Sequence, residues 1–509
     1  MSLLVHSGDF GRIPDLLFPV LAKLGVHMPS RPKALHLLWE FFRVGRLERK
    51  YSVTSLLERP PMQDPRMVLA LDILSNASVF AHSFTQELWG MTMLRTVSLC
   101  LQHGYHKGVV MSLGAYGAMR ALLFQDYDGM ERLVVLGKAI ADQNPGPFTL
   151  SRAYLTSGGT VTYFKDHLFQ GVYNWEKCIQ TAIAGGDPSF ACLVTPLLAL
   201  RLISTGYTLE AAEPKAREMV ALSVQYKELD MGMSVSLIHQ SLAALMGKMP
   251  VRFRHEGKEL DERGLFDAMK RSKNRTGFVL GSAGWIQAAC HQEQYDLAFE
   301  IAQALAANQS AMGGTDATFE FHFWRPIICC IRYARKEGKE RILLKRQARS
   351  SIRQLEKWAK ISSQNFGYRL WLAKAEWARA LGRVEEALDR YQKSLRGAEE
   401  IGLANIAGFI HLRMASLFQA MDFIPHAGLH AQSAIEEYQR WGAETIVNRI
   451  RSVYPQTAEL REPARPFDKG QLAQALDLNT VLKATQAISS EIILEKLEER
   501  LLQIAMENA

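Results

Sequence analysis

The sequence predicts an all-α fold built as a helical repeat array. Three observations carry that prediction: helical periodicity dominates the chain, Gly- and Pro-containing breaks recur between the periodic runs, and strand alternation is scarce. No Asn-Gly or Asp-Gly turn stands between two alternating runs, so β-hairpins are not expected. Representative breaks are Gly104-Tyr105-His106, Asn144-Pro145-Gly146-Pro147, Gly185-Gly186-Asp187-Pro188 and Gly313-Gly314-Thr315-Asp316. Each ends one amphipathic run and starts another, often with a Ser, Thr or Asp able to cap the new helix. Short connections make consecutive helices antiparallel neighbours.

Composition agrees with a folded protein. Of 509 residues, 48% are hydrophobic and 22% charged, which excludes a disordered chain. The six cysteines (Cys100, Cys178, Cys192, Cys290, Cys329 and Cys330) form no CxxC pair and mostly sit in apolar stretches. They read as small buried hydrophobes in a reducing compartment, with neither a disulfide framework nor a zinc site. The start, MSLLVHSGDFGRIPD, lacks a charged n-region and is cut by Asp9, Arg12 and Asp15. The longest apolar run, 190–200, is too short to span a bilayer. A cytoplasmic location is the expectation.

The repeat unit is clearest over 371–395. Trp371, Ala375, Gly382, Ala387, Tyr391 and Ser394 fall where a tetratricopeptide repeat places its aromatic, small, turn, small, aromatic and small residues. The stretch resembles that helix-turn-helix closely. A second unit follows forty residues later with Ala415, Phe418, Ala427, Ala431 and Ala434 in equivalent places. Earlier units are more degenerate: 295–305 reads as a second helix with Ala298 and Ala302 at packing positions, and 127–140 and 172–183 as further second helices. The expected architecture is a tetratricopeptide-like superhelix (an α-solenoid) whose concave face receives a protein or peptide. Its organisation reads as an N-terminal helical segment (1–50), degenerate repeats (51–455), a polar linker (456–475) and an amphipathic connector helix (476–509). In the connector, Leu494, Leu497, Leu501 and Ile504 form the apolar stripe.

The net charge of +8 is concentrated. Residues 325–360 carry twelve Lys/Arg against Glu337, Glu340 and Glu356. With no aromatic interleaving and no nucleic-acid motif, the stretch reads as a solvated helix face rather than a nucleic-acid site.

Catalytic motifs are absent from the sequence. There is no GxxxxGK[ST] or GxGxxG loop, no kinase HRD or DFG site, no GxSxG, and His255-Glu256 does not extend to HExxH. His426 and His430 stand four apart, a spacing that lets two imidazoles share a metal, but no third ligand lies near. Glu385-Glu386 and Glu436-Glu437 belong on solvent faces. No catalytic, cofactor-binding or metal residue is assigned.

Residues 16–47, followed by Pro60-Pro61-Met62-Gln63-Asp64-Pro65, and the run LDLNTVLKATQAIS from Leu476 carry a wider resemblance. In this order they resemble the middle of very large signalling proteins. Those join a serine/threonine kinase, an AAA-type ATPase, a tetratricopeptide-like region, a GAF sensor and a histidine kinase. The chain lacks that family's kinase, P-loop, GAF domain and phospho-accepting histidine, so no functional residue carries over. The resemblance implies a non-catalytic interaction and signal-relay scaffold, partnered by kinase, ATPase or GAF-domain proteins. Pairing into a dimer through the terminal helix is a further expectation. The chain is expected to be an excised segment or a short gene product. Two alternatives stay open: the middle of a multidomain ATP-binding sensor kinase, and the regulatory repeats of a transcription regulator. The absence of a terminal helix-turn-helix argues against the latter.

Overall fold

The computed structural model describes residues 13–81, 86–272 and 274–457. Among them are 23 α-helices and one two-stranded hairpin, so the chain is all-α. The linker from 458 onward and the 476–509 connector lie outside the described residues.

The helices follow one another with short joints. First come α1 (Ile13–Lys23), α2 (Ala34–Lys50), α3 (Pro65–Ala81), α4 (Gln86–His103), α5 (Val110–Phe124) and α6 (Tyr127–Gln143). Then follow α7 (Pro147–Gly158), the short α8 (Thr160–Lys165), α9 (Leu168–Ala184), α10 (Pro188–Ser204), α11 (Leu209–Gln225) and α12 (Leu229–Met246). Strands β1 (Phe253–His255) and β2 (Lys258–Leu260) precede α13 (Glu262–Arg271), α14 (Arg275–His291), α15 (Tyr295–Ala306) and α16 (Gln309–Met312). The rest is α17 (Asp316–Tyr333), α18 (Gly338–Ala359), α19 (Ser363–Ala380), α20 (Val384–Glu400), α21 (Ala404–Ala420), α22 (Ile424–Trp441) and α23 (Glu444–Val453). Among the described residues, no helix is long and apolar enough to cross a membrane.

A fixed rhythm sets the joints. In two stretches, helices of 17 or 18 residues end at a left-handed residue: Gly186, Gly206, Lys227 and Gly247 in the first, Gly382, Gly402, Asp422 and Gly442 in the second. At several of these joints the next N–H reaches back across the last turn, as from Tyr207 to Leu202 O (3.1 Å), Arg383 to Ala378 O (3.0 Å) and Phe423 to Phe418 O (2.9 Å). That closure satisfies carbonyls which a helix end leaves unpaired. Helix plus turn spans about 20 residues, so a hairpin spans about 40 and exceeds the 34 of the standard repeat.

Within 371–395 the small positions pack as expected. Ala375, Ala387, Tyr391 and Ser394 are fully buried, and α19 lies along α20 as α21 does along α22. Trp371 differs: it is only half-buried, with the ammonium groups of Lys374 and Lys393 over its ring at 5.5 and 5.2 Å.

The β-hairpin is the departure from the expected helical reading. Its turn residues, Glu256 and Gly257, both have positive φ (49° and 78°), the geometry usually signalled by Asn-Gly or Asp-Gly. Phe253 is buried, and its ring lies so close over Gly232 of α12 that a Cβ there would meet it at 3.0 Å. Burial of one aromatic pins the strand.

Contacts distant in sequence then join the two stretches. Near the start of α19, Asn365 Nδ2 donates to Thr162 O (3.2 Å), Tyr163 O (3.1 Å) and Asp166 O (2.9 Å) at the end of α8. Asn405, in the first turn of α21, donates to Ile203 O of α10 at 3.1 Å. Thr445, in the first turn of α23, donates to Ala244 O of α12 at 2.8 Å. The donors are 40 residues apart, and each reaches back about 200 residues to the tail of another helix. Each rung sets a helix N-terminus against a helix C-terminus, which also aligns the two macrodipoles favourably. Replacing Asn405, which is fully buried, by alanine removes the rung and leaves Ile203 O with the Gly206 N–H alone (3.2 Å). The expected cost is about 0.5–1.5 kcal/mol, read from urea unfolding. A loss indistinguishable from zero would remove the rung from the account of stability.

Candidate functional site

The strongest surface feature is the solvent face of α18. Its inner face buries Leu344, Ala348, Ser351, Ile352, Leu355 and Trp358. The 3.6-residue period therefore turns the cations outward. Arg335, Lys339, Arg341, Lys345, Arg346, Arg349, Arg353, Lys357 and Lys360 are all exposed, and none has an ion pair with a carboxylate among the described residues. Two of the three acidic residues of the stretch are engaged with other cations: Glu340 faces Arg332 and Lys336 (3.7 and 3.3 Å), and Glu356 faces Lys374 (2.7 Å). Ile342 and Leu343 stand among the cations with 63% and 50% of their surface exposed. The face is basic with an apolar centre, suited to an acidic surface that also carries apolar side chains.

Not all of the basic sequence contributes. Arg325 and Arg332 lie on α17, half-buried, with their guanidinium groups over Phe321 (5.0 Å) and Phe299 (4.3 Å). Two further cations cover neighbouring rings: Arg341 lies over Tyr333 (4.4 Å) and Arg349 over Trp377 (5.7 Å).

The groups that could support chemistry are held in structural roles. All six cysteines are free thiols and buried. Burial pushes the Cys100, Cys192 and Cys329 thiols up to about 12, and raises Cys178, Cys290 and Cys330 as well. A thiol so raised is a poor nucleophile at neutral pH. His426 and His430 share one side of α22, but the nearest imidazole partner comes from α21. His411 Nδ1 lies 3.0 Å from His430 Nδ1, and Phe418 stacks on His430 at 5.4 Å. Burial first, and the neighbouring imidazoles second, push His430 down to about 3; burial brings His411 down to about 4. Two neutral rings sharing one proton account for that contact. No sequence signal marks His411, because helix pairing alone brings it there. Among the described residues no group of three or more His, Cys, Asp or Glu side chains is placed to hold a metal.

Inside, three buried arginine–carboxylate pairs tie α17 to α10 and α19, and α19 to α21. Arg201 of α10 binds Asp316 of α17 through Nε and Nη2 (2.5 and 2.8 Å). Arg369 of α19 binds Glu320 of α17 (2.8 Å). Arg413 of α21 grips Glu376 of α19 (2.7 and 2.9 Å), whose Oε1 also accepts from Tyr391 (2.6 Å). Burial alone would push Glu376 up; the charge and hydrogen bonds of Arg413, with help from Arg379 and Tyr391, outweigh it and hold the carboxyl below its ordinary value. These pairs fix the relation between helices.

The chain matches no protein-family model and no curated protein. Its function therefore rests on the geometry alone.

Proposed function

We propose that this chain is a non-catalytic protein-interaction and signal-relay scaffold whose docking surface is the basic face of α18. The observation that carries the reading is the unpaired cationic face around Ile342 and Leu343, displayed on a helix whose other side is locked into the core. A rigid frame behind a single-sign face favours fast capture of an oppositely charged partner. The partner class is an acidic protein segment with apolar side chains. Kinase, ATPase and GAF-domain proteins are the partners that the sequence resemblance suggests.

We further read the frame as a superhelix of tetratricopeptide-like hairpins. Support comes from the recurring 20-residue joint and from the rungs at Asn365, Asn405 and Thr445. A constant reach of about 200 residues is what about five 40-residue hairpins per turn would produce in a stacked array. In such an array a force on α18 passes to α17 and α19, and through the buried ion pairs to α10 and α21. The carrier of a signal would be a small shift between packed helices.

The test is binding of a labelled Glu-rich peptide containing two leucines. The triple variant Lys345→Glu, Arg346→Glu, Arg353→Glu is expected to weaken binding by about a hundredfold or more, with the thermal midpoint nearly unchanged because all three residues are exposed. Raising salt should weaken the wild-type complex and leave the variant's residual binding almost unmoved. Equal affinities for wild type and variant would sink the assignment. Tighter binding of duplex DNA than of the peptide would move the partner class to nucleic acid.

A further inference from the structure

A cavity of about 160 Å³ lies where the early helices meet the loop before α17. Its apolar wall includes Trp89 of α4, Met111 of α5, Met130 of α6, Trp175 of α9, Leu193 of α10 and Leu280 of α14. The space is left by small residues: Ala115 and Ala118 on α5, Gly159 before α8, and Gly313 and Gly314 in the loop. Gly313 is exposed and Ala118 half-buried, so the rim reaches solvent. Close-packed interiors hold few such spaces, and an apolar void left empty is costly.

The polar part of the wall is sparse and nearly all committed. Asp316 is 2% exposed, and both its oxygens are taken by Arg201. Thr156 donates to Arg152 O or Ala153 O (3.2 and 3.1 Å), Thr160 to Gly314 O (2.9 Å) and Thr315 to Met312 O (2.6 Å). Thr276 alone among these is different. It is 8% exposed, and its hydroxyl is buried without a hydrogen-bond partner among the described residues. A buried hydroxyl without a partner costs stability, whereas valine of the same shape would not.

We propose that this cavity binds one neutral, mainly apolar small molecule, a single ring with one hydroxyl group, the hydroxyl pairing with Thr276. Size sets the ring, since a dry apolar cavity of about 150 Å³ accepts benzene. Charge sets neutrality: the carboxylate in the wall is already matched by Arg201, so a charged ligand would be desolvated with no counter-ion. The site goes beyond the docking role of α18 and does not depend on it. Its walls combine α4 to α10 with α14 and the 313–316 loop, and Asp316 is the residue that anchors Arg201. Occupancy would therefore bear on the contact between α10 and α17.

Calorimetric titration of the full chain with benzyl alcohol, toluene and benzoate tests the proposal. Saturable one-to-one binding of benzyl alcohol is expected, with benzoate at least about tenfold weaker. Ala118→Leu fills the cavity from its half-buried rim and should weaken benzyl alcohol by about tenfold or more. Ala115→Val is the second filling variant, in case the first fails to fold. Thr276→Val should weaken benzyl alcohol several-fold, leave toluene unchanged and raise the thermal midpoint of the free protein. No saturable binding up to about 10 mM, or undiminished binding in a folded cavity-filled variant, would overturn the site. Equal binding of alcohol and toluene, unaffected by Thr276→Val, would overturn the assigned hydrogen bond.

Discussion

Replacing Arg201 with methionine is expected to destabilise the protein by roughly 3–5 kcal/mol, the usual cost of stranding one member of a buried ion pair. Arg201 has no exposed surface. Beyond Asp316, its guanidinium donates to Thr162 Oγ1 (3.0 Å), Leu168 O (3.3 Å) and Gly158 O (3.2 Å), and it lies between the rings of Tyr163 and Trp175 at 4.7 and 4.5 Å. Methionine refills most of the volume, so packing loss is the smaller part. The larger part is Asp316, left 2% exposed with no cation. Adding Asp316→Leu should restore part of the loss, because a buried pair replaced whole by apolar residues costs less than a pair broken in half. Urea unfolding of the two single variants and the double variant measures this. Additive losses would show that the two side chains do not act as a pair.

The second large effect concerns Glu376 and carries a pH signature. Glu376→Gln removes the charge that Arg413 and Tyr391 face in the core, and an expected cost of about 3–5 kcal/mol at neutral pH follows. The folded carboxyl is held below its ordinary value, so its contribution is fully present above the unfolded glutamate range near 4.3 and is lost as pH falls through the lower folded value. The deficit of Glu376→Gln relative to wild type should therefore shrink on acidification below about pH 4. Stability curves at neutral and acid pH decide the point. A deficit independent of pH would mean that shape, not charge, is what the core needs from this side chain.

Much of the fold is legible locally. Helical periodicity, the small residues Ala375 and Ala387, and Gly382 each act within one or two turns of their own position. The joints at Lys227, Glu293 and Asp422 are less legible, because each adopts positive φ (59°, 56° and 64°) without being glycine. Neighbouring helix packing holds those residues in a conformation their own preference disfavours. The β-hairpin hides for a similar reason: Glu256-Gly257 makes the turn, and burial of Phe253 makes it worthwhile.

The candidate surface was legible as a cluster of cations, since twelve Lys/Arg fall within residues 325–360. Its division was not. Arg325 and Arg332 look like their neighbours in sequence, yet from α17 they cover the rings of Phe321 and Phe299, while the exposed cations of α18 line its solvent side. His411 carries no signal because its partner comes from a different helix, and Thr276 carries none because what matters about it is the space that other helices leave beside it.

The amino-acid order by itself determines that the chain is helical, where most helices break, and that one region is strongly basic. These are properties of segments shorter than one hairpin, governed by backbone preference and side-chain period. Which helix ends meet, which arginine finds which carboxylate and where space is left unfilled depend on partners as far apart as Asn365 and Thr162, or Arg201 and Asp316. Asparagine at a helix start caps equally well against water, and arginine is equally comfortable on a surface. Only the packing of one stretch against another turns Asn405 into a rung, Arg201 into an anchor and the space beside Thr276 into a cavity.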